Sequence, residues 1–241
     1  MEYLNEFNFA KSILKEAGIV ISQKEHKVVL SSKAKDIKLA LDLEIDNLIV
    51  ERLTAKFKHP VLSEESGLTK LIEGPTPYWI LDPIDGSMNL ERGIPLSCTS
   101  LAFWMDHEPI FGIIYDYNKE EMISGYTGQG AWLNGALFTG AKSIQMDQSV
   151  LATGIPKDMD LSDANAGSFI ENLRQYKKVR MLGSAAISLS YLALGRVDTY
   201  IEKNIKFWDV AAGIAILKAL NKTPKNFELK EDYLVDLEIS N

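Results

Sequence analysis

Apolar residues recur at helical spacing from the start of the chain. Leu4, Phe7, Ala10, Ile13, Leu14 and Ala17 share one face of a helix predicted over residues 3–17, and Gly18 supplies a C-terminal stop. A second helix is predicted over about residues 36–57, with Ile37, Leu41, Ile45, Leu48 and Leu53 on one side. The period then shortens. Residues 61–62, 78–81, 97–104, 109–115 and 121–126 read as short strands, and turns at Asp106-His107-Glu108 and Tyr117-Asn118-Lys119 make an antiparallel meander of them. After Gly128, Gly130 and Gly135, helical segments (162–176, 185–194, 209–220) alternate with extended ones (178–182, 198–201). An α+β first half, residues 1–140, is therefore expected to meet an α/β second half, residues 141–241. Repeats, low-complexity tracts and Pro/Ser-rich linkers are lacking, so the two halves should pack tightly.

Composition narrows the class. With 241 residues, of which 46% are hydrophobic, the chain is long enough to bury a substantial core. Its apolar runs fall short of the roughly 18 residues of a membrane span, and residues 1–6 lack the basic start of a secretion signal. A soluble protein in the cytoplasm is expected. The lone cysteine, Cys98, lies in an apolar stretch and reads as an inert core residue. A formal net charge of -7 speaks against binding a nucleic-acid polymer. It leaves room for a small anion if divalent cations sit between the two. His26, His59 and His107 are scattered at no metal-ligand spacing, so zinc is not expected.

The densest chemistry lies in residues 78–90. An apolar run ends at Asp82, where Pro83 biases the backbone to extended geometry, so Asp82 reads as the last strand residue and Asp85 as part of the turn beyond. Gly86 allows close backbone approach to a ligand, and Ser87 can cap a following helix while its amide faces a phosphate. A plain Asp-Pro/Asp-Gly turn fits the same residues. Glu64 and Glu65 follow Val61-Leu62 in a similar way. Asp209 opens the helical run after Phe207-Trp208, where an N-cap role explains it, and Asp42 reads by default as a solvent-facing helical carboxylate. Spacing alone does not bring these groups together. If four carboxylates did converge, each pair about 4 Å apart would cost roughly 4 kcal/mol at an effective dielectric of 20. A hard cation such as Mg²⁺ removes that conflict, and oxygen-only donors select it.

Whole motifs then match. Trp79-Ile-Leu-Asp-Pro-Ile-Asp-Gly-Ser-Met-Asn-Leu90 resembles the first signature of the inositol monophosphatase family, and Trp208-Asp-Val-Ala-Ala-Gly213 resembles its second. Glu64-Glu65-Ser66 looks like the family's acidic segment, Gly128-Gln-Gly-Ala-Trp-Leu-Asn-Gly135 like its glycine-rich hairpin, and Gly183-Ser184-Ala185 like its pocket for phosphate and alcohol. The order is preserved over nearly the whole chain. The resemblance implies a layered αβαβα sandwich of the inositol monophosphatase/fructose-1,6-bisphosphatase type, binding Mg²⁺, in two to three ions, between its halves. It implies lithium-sensitive hydrolysis of a small phosphate monoester by an activated water, without a covalent phosphoenzyme. Carried across, Glu64, Asp82 and the carbonyl of Ile84 hold the first ion, and Asp82, Asp85 and Asp209 the second, with a third near Glu64. Asp42 and Ser87 orient and deprotonate the water, with Glu64 as part of the catalytic set. Gly86 and Ser87 meet the phosphate. Gly183, Ser184, Ala185 and Glu202 meet the rest of the substrate.

Three departures stand out. Ser87 replaces the more usual threonine, Leu39 stands where a threonine often precedes the helical aspartate, and Asn221-Lys-Thr-Pro-Lys225 follows Leu220 in place of a glycine pair, so the short tail is expected to lack elements. Lys33 and Lys35 fall in a loop expected to be mobile and are read as solvated charges. The expected partners are a small phosphorylated substrate and a second copy of the chain, with neither nucleic acid nor membrane. An adenosine-bisphosphate nucleotidase and a fructose-1,6-bisphosphatase share the metal motifs, and a non-catalytic metal- or phosphate-binding protein is the alternative outside the enzymes. A dinucleotide-binding domain is disfavoured, since no Gly-x-Gly-x-x-Gly opens a helix after a strand.

Overall fold

Helical and sheet layers alternate through the protein, whose structure is a computed structural model describing residues 2–23, 29–33, 36–70, 74–155 and 162–241. The periodic face of the N-terminus folds as α1 (Leu4–Gln23), which with α2 (Ala40–Lys56) covers one face of a large sheet. Phe7, Ile13, Leu14, Ile45 and Ile49 there meet Trp79, Leu81, Phe103 and Phe111. Gly18 does not stop α1. It lies inside the helix, where a Cβ would stand 2.3 Å from Cε1 of Tyr115, so glycine serves close packing on the sheet. The second helix begins four residues later than its periodicity predicts. Residues 36–39 instead form β2 (Asp36–Leu39), paired antiparallel with β1 (Val29–Lys33), because that ladder satisfies backbone groups a frayed first turn would leave open. Lys33 closes β1, and Lys35 lies outside the described residues.

The antiparallel meander appears as expected over residues 78–126, whereas the strand at 61–63 joins it in parallel, a long-range pairing that no turn residue announces. The large sheet runs in the order β10-β9-β8-β7-β6-β5-β3-β4. Its strands are β3 (Val61–Ser63), β4 (Gly67–Leu68), β5 (Tyr78–Asp85), β6 (Cys98–Met105), β7 (Glu108–Asp116), β8 (Glu121–Tyr126), β9 (Gly130–Leu133) and β10 (Ala136–Phe138). All neighbours pair antiparallel except β3 and β5, which run parallel. A short helix, α3 (Ser87–Glu91), follows β5.

The chain passes to a second sheet between Phe138 and Val150. Its order is β12 (Lys178–Arg180), β11 (Val150–Thr153), β13 (Thr199–Lys206), β15 (Leu234–Ser240), β14 (Asn226–Leu229), with β11 parallel to both neighbours. Between the sheets lie α5 (Ala185–Ala193) and α6 (Phe207–Ala219), buried on nearly every side with Ile80, Trp104, Ile114, Ile187, Tyr200, Val210, Ile216 and Leu237. α4 (Asp163–Leu173) shares a cavity with Leu151, Thr153 and Ile201 on the outer face of the second sheet. Periodicity did not predict β14 and β15. The tail after α6 supplies both of these strands, and β15 pairs with β13 along its length. Asn221, at φ 61°, takes the left-handed position after α6 that glycine would otherwise fill. No helix among the described residues is long and apolar enough to cross a membrane.

Candidate active site

β5 runs three residues further than its sequence pattern suggests, and the extension builds the site. Asp82 pairs with Ser100 and Asp85 with Cys98, so three steps along β5 match two along β6. This is a β-bulge at Pro83-Ile84, a place where a strand tolerates proline. In a regular strand, residues three apart point to opposite faces. The extra residue restores the phase: Tyr78 and Ile80 face α5 and α6, Trp79, Leu81 and Ile84 face α1 and α2, and Asp85 returns to the α5 side. Both aspartates thus look into the space between the sheets. Thr99 Oγ1 ties the bulge down by donating to the Pro83 carbonyl at 2.9 Å.

The parallel pairing of β3 and β5 brings in the next carboxylate. Leu62 lies beside Ile80 and Ser63 beside Leu81, so Glu64 follows beside Asp82, its amide donating to the Leu81 carbonyl at 3.1 Å. Ser63 faces the other way, onto Asp46 of α2. Asp209 arrives on α6. That helix rests directly on the sheet because a Cβ at Gly112 would stand 2.3 Å from the Ala212 carbonyl oxygen, and one at Gly125 would stand 2.6 Å from Ile216 Cα. Lys206 holds the N-cap position, so Asp209 sits in the first turn with its side chain turned inward rather than capping. One carboxylate oxygen each of Glu64, Asp82 and Asp209 lies within 4.8 Å of the others.

Asp85 is held differently. Ser184 Oγ donates to its Oδ2 at 2.7 Å and the Ala186 N–H at 2.6 Å, while Ser184 Oγ also accepts from Ile187 N–H at 3.1 Å as the N-cap of α5. The carboxylate therefore lies at the positive end of a helix. Next to it Gly86, at φ 82°, takes the N-cap position of α3 that Ser87 was expected to hold, and Ser87 becomes the first helical residue. Gly183, at φ 72°, lies against the Asn89 side chain, whose Nδ2 donates to the carbonyls of Leu96 and Leu182 at 2.8 Å each. These bonds tie segments 86–89 and 182–185 into one wall.

The crowding has electrostatic consequences. Asp82 is pushed well above the usual carboxylate range, first by burial, then by Glu64, Asp85, Asp209 and Asp42. Asp209 is raised by burial and by Asp85, Glu64 and Glu202. Asp85 rises only to about 6, because burial is opposed by its hydrogen bonds from Ser184, Ala186 and Gly86. One oxygen of Asp82 is buried without a hydrogen-bond partner, in a residue only 1% exposed. An all-oxygen donor set with an orphaned buried acceptor and mutual repulsion fits a hard divalent cation.

Two further residues face this centre. Asp42 is buried in α2 at 5% exposure and contributes to the field at Asp82, so it is not the solvent-facing carboxylate its helix position suggested. Glu202 lies within β13, beyond the four-residue strand predicted there, and is raised to about 7 by burial, with Asp85 adding to the rise and a hydrogen bond from Tyr200 opposing it. Cys98 is buried opposite Asp85 with its thiol raised by burial, as befits an inert core residue.

The sequence profile of the inositol monophosphatase family matches residues 4–229. The chain belongs to this family. A fructose-1,6-bisphosphatase/inositol-1-monophosphatase of Thermotoga maritima is 28% identical over 232 residues, covering 95% of this chain and 87% of its own length. An inositol-1-monophosphatase of Synechocystis is 32% identical over 197 residues, covering 81% of this chain and 68% of its own. The inositol monophosphatase structure from Anabaena superposes with a TM-score of 0.85 at 27% identity, over 99% of this chain and 92% of that one. Inositol monophosphatase family members are phosphoric monoester hydrolases, and the layered α+β fold described above is theirs.

Within that family frame, Glu64, Asp82, Asp85, Asp209, Asp42 and Glu202 are linked by proximity or by mutual charge effects, and Gly86, Ser87, Gly183, Ser184 and Ala185 line the neighbouring segments. Tyr200 belongs to none of the motifs, because a buried tyrosine in a strand carries no signal until its hydroxyl is seen to meet Glu202.

Proposed function

We infer that the protein hydrolyses a small phosphate monoester, of which inositol monophosphate is the form the site supports best, by direct attack of water. The observation that carries this reading is the approach of Glu64, Asp82 and Asp209 to within 4.8 Å around an unpaired, buried Asp82 oxygen. Glu64, Asp82, the Ile84 carbonyl, Asp85 and Asp209 are the groups that would hold Mg²⁺, in two or three ions. Bound there, the metal supplies the positive charge that acidifies water and stabilises a departing oxygen. The chain's own residues do the rest. Asp42, buried beside the cluster, takes the proton of the attacking water with Ser87 orienting it, so no side chain need become phosphorylated. The segment at Gly86 and Ser87 places the phosphate by backbone amides, and Glu202 accepts hydrogen bonds from hydroxyls of the leaving alcohol.

A second substrate reading, a sugar bisphosphate, is favoured by the Thermotoga relative, whose name joins both activities. A panel of inositol monophosphate, fructose 1,6-bisphosphate and adenosine bisphosphate, each with Mg²⁺ and a phosphate-release readout, separates the two. The highest kcat/KM is expected on inositol monophosphate. Release from none of the three would overturn the enzymatic reading. Inhibition by Li⁺ belongs to the same proposal, and a lithium titration at fixed Mg²⁺ tests it.

A further inference from the structure

Glu202 is boxed in by two residues that no motif singles out. Tyr200 precedes it by two positions on β13, so their side chains share a face, and the Tyr200 hydroxyl donates to Glu202 Oε2 at 2.8 Å. The Tyr200 ring is fully buried in the core between the sheets, which leaves its hydroxyl little freedom to turn elsewhere. On the other side stands Gly154, just past β11, where a Cβ would lie 2.2 Å from Oε1 and 2.6 Å from the carboxyl carbon. Only glycine leaves room for the carboxylate in this place.

The strand itself is shaped around the same point. Glu202 pairs with Leu237, but the next pair is Ile205 with Val235, so β13 bulges immediately after Glu202. Asn204 adopts φ 54° in the bulge and is fixed by its N–H donating to Asp236 Oδ1 at 2.9 Å, with Asp236 paired to Lys230 at 2.7 Å. A glutamate has three rotatable side-chain bonds, and ordering them on binding weakens affinity.

We propose that Tyr200 and Gly154 clamp Glu202 in one orientation, with Oε2 held by the tyrosine and Oε1 presented to substrate hydroxyls, so that both are positioning residues setting selectivity for a hydroxyl-bearing leaving group. The proposal rests on the reading of Glu202 as the group that meets the leaving alcohol, and its test separates the two.

The readout is the ratio of kcat/KM on inositol monophosphate to kcat/KM on phenyl phosphate, whose leaving group has no second hydroxyl. Tyr200→Phe keeps the ring and removes only the hydroxyl. It is expected to lower the ratio about tenfold, the loss of roughly one hydrogen bond, mostly through KM for inositol monophosphate. Gly154→Ala is expected to lower the ratio as well, by displacing the carboxylate. Glu202→Gln should lower it too, and adding Tyr200→Phe to that variant should cause little further loss. If Glu202→Gln leaves the ratio unchanged, the reading of Glu202 has failed and the clamp with it. If Glu202→Gln lowers the ratio but Tyr200→Phe does not, the clamp alone is wrong. Equal losses on both esters in Tyr200→Phe would reduce the tyrosine to a structural residue. Should Gly154→Ala fail to fold, Tyr200→Phe decides by itself.

Discussion

Replacing Asp209 by Asn should stabilise the metal-free protein while abolishing turnover. Its carboxylate oxygen lies within 4.8 Å of oxygens of Asp82 and Glu64. At that distance two unit charges repel by roughly 3.5 kcal/mol at an effective dielectric of 20. Two effects reduce the gain. Burial and mutual repulsion raise the pKa values of Asp82 and Asp209, so the metal-free cluster already takes up protons that relieve part of the strain. Asp209 also sits in the first turn of α6, where a carboxylate gains about 0.3–1 kcal/mol from the helix dipole. A net gain of about 1–2 kcal/mol remains, which for a domain of this size is about 2–8 °C in Tm. The sign with pH follows from the raised values. An acid whose folded pKa lies above its unfolded one contributes stability that is full below the unfolded value and lost as pH rises through the folded value. Asp85, raised from 3.8 to about 6, accounts for roughly 3 kcal/mol of such loss by itself, and Asp82 and Asp209 shift the same way. Wild type in EDTA should therefore melt lower at pH 8 than at pH 5. The Asn variant should exceed it at pH 8 and match it near pH 5. Melting curves at both pH values, with EDTA and with Mg²⁺, make the comparison, and Mg²⁺ should raise the wild-type Tm more than the variant's. A variant that melts lower than wild type in EDTA at pH 8 would refute the repelling cluster and return Asp209 to a structural role.

Gly112→Ala puts a Cβ 2.3 Å from the Ala212 carbonyl oxygen, so α6 must lift. A stability loss of about 1–3 kcal/mol and a fall in kcat from displaced Asp209 are expected in melts and phosphate release, and an unchanged Tm with full activity would count against α6 seating that residue. Ser184→Ala removes the N-cap of α5, about 0.5–2 kcal/mol, together with a hydrogen bond that lowers the pKa of Asp85. Mg²⁺ affinity by calorimetry should then drop more at pH 6, where Asp85 becomes protonated, than at pH 8, and equal drops would argue that Ser184 acts only as a cap.

Much of this was readable in advance, and the failures share a cause. Strands β5 to β8 follow from apolar runs and turn residues that act over a few positions. So do the helices α5 and α6. Gly18 carries the local signal of a helix stop, whereas its role, approach to Tyr115, depends on a strand nearly a hundred residues away. β14 and β15 went unseen since their existence depends on β13 as a template. At the site, the acidic residues were visible as types but not as neighbours. Parallel pairing of β3 with β5 leaves no local mark, so nothing in the spacing put Glu64 beside Asp82. The Asp-Pro step suggested an end to the strand, whereas the backbone bulges and continues, turning Asp85 to the same face as Asp82. Asp209 looked like a cap because its inward direction is set by Gly112 and Gly125 beneath α6. Only resemblance to a family supplied those long-range facts before the structure did.

The most direct measurement of the central claim is phosphate release from inositol monophosphate by the purified protein after exhaustive EDTA treatment and metal-free dialysis, before and after Mg²⁺ is restored. Carboxylates brought together as Glu64, Asp82 and Asp209 are should leave the stripped protein inactive and let Mg²⁺ alone recover the rate, since the nucleophile is a water and no side chain replaces the metal. Full activity in the stripped protein would contradict it.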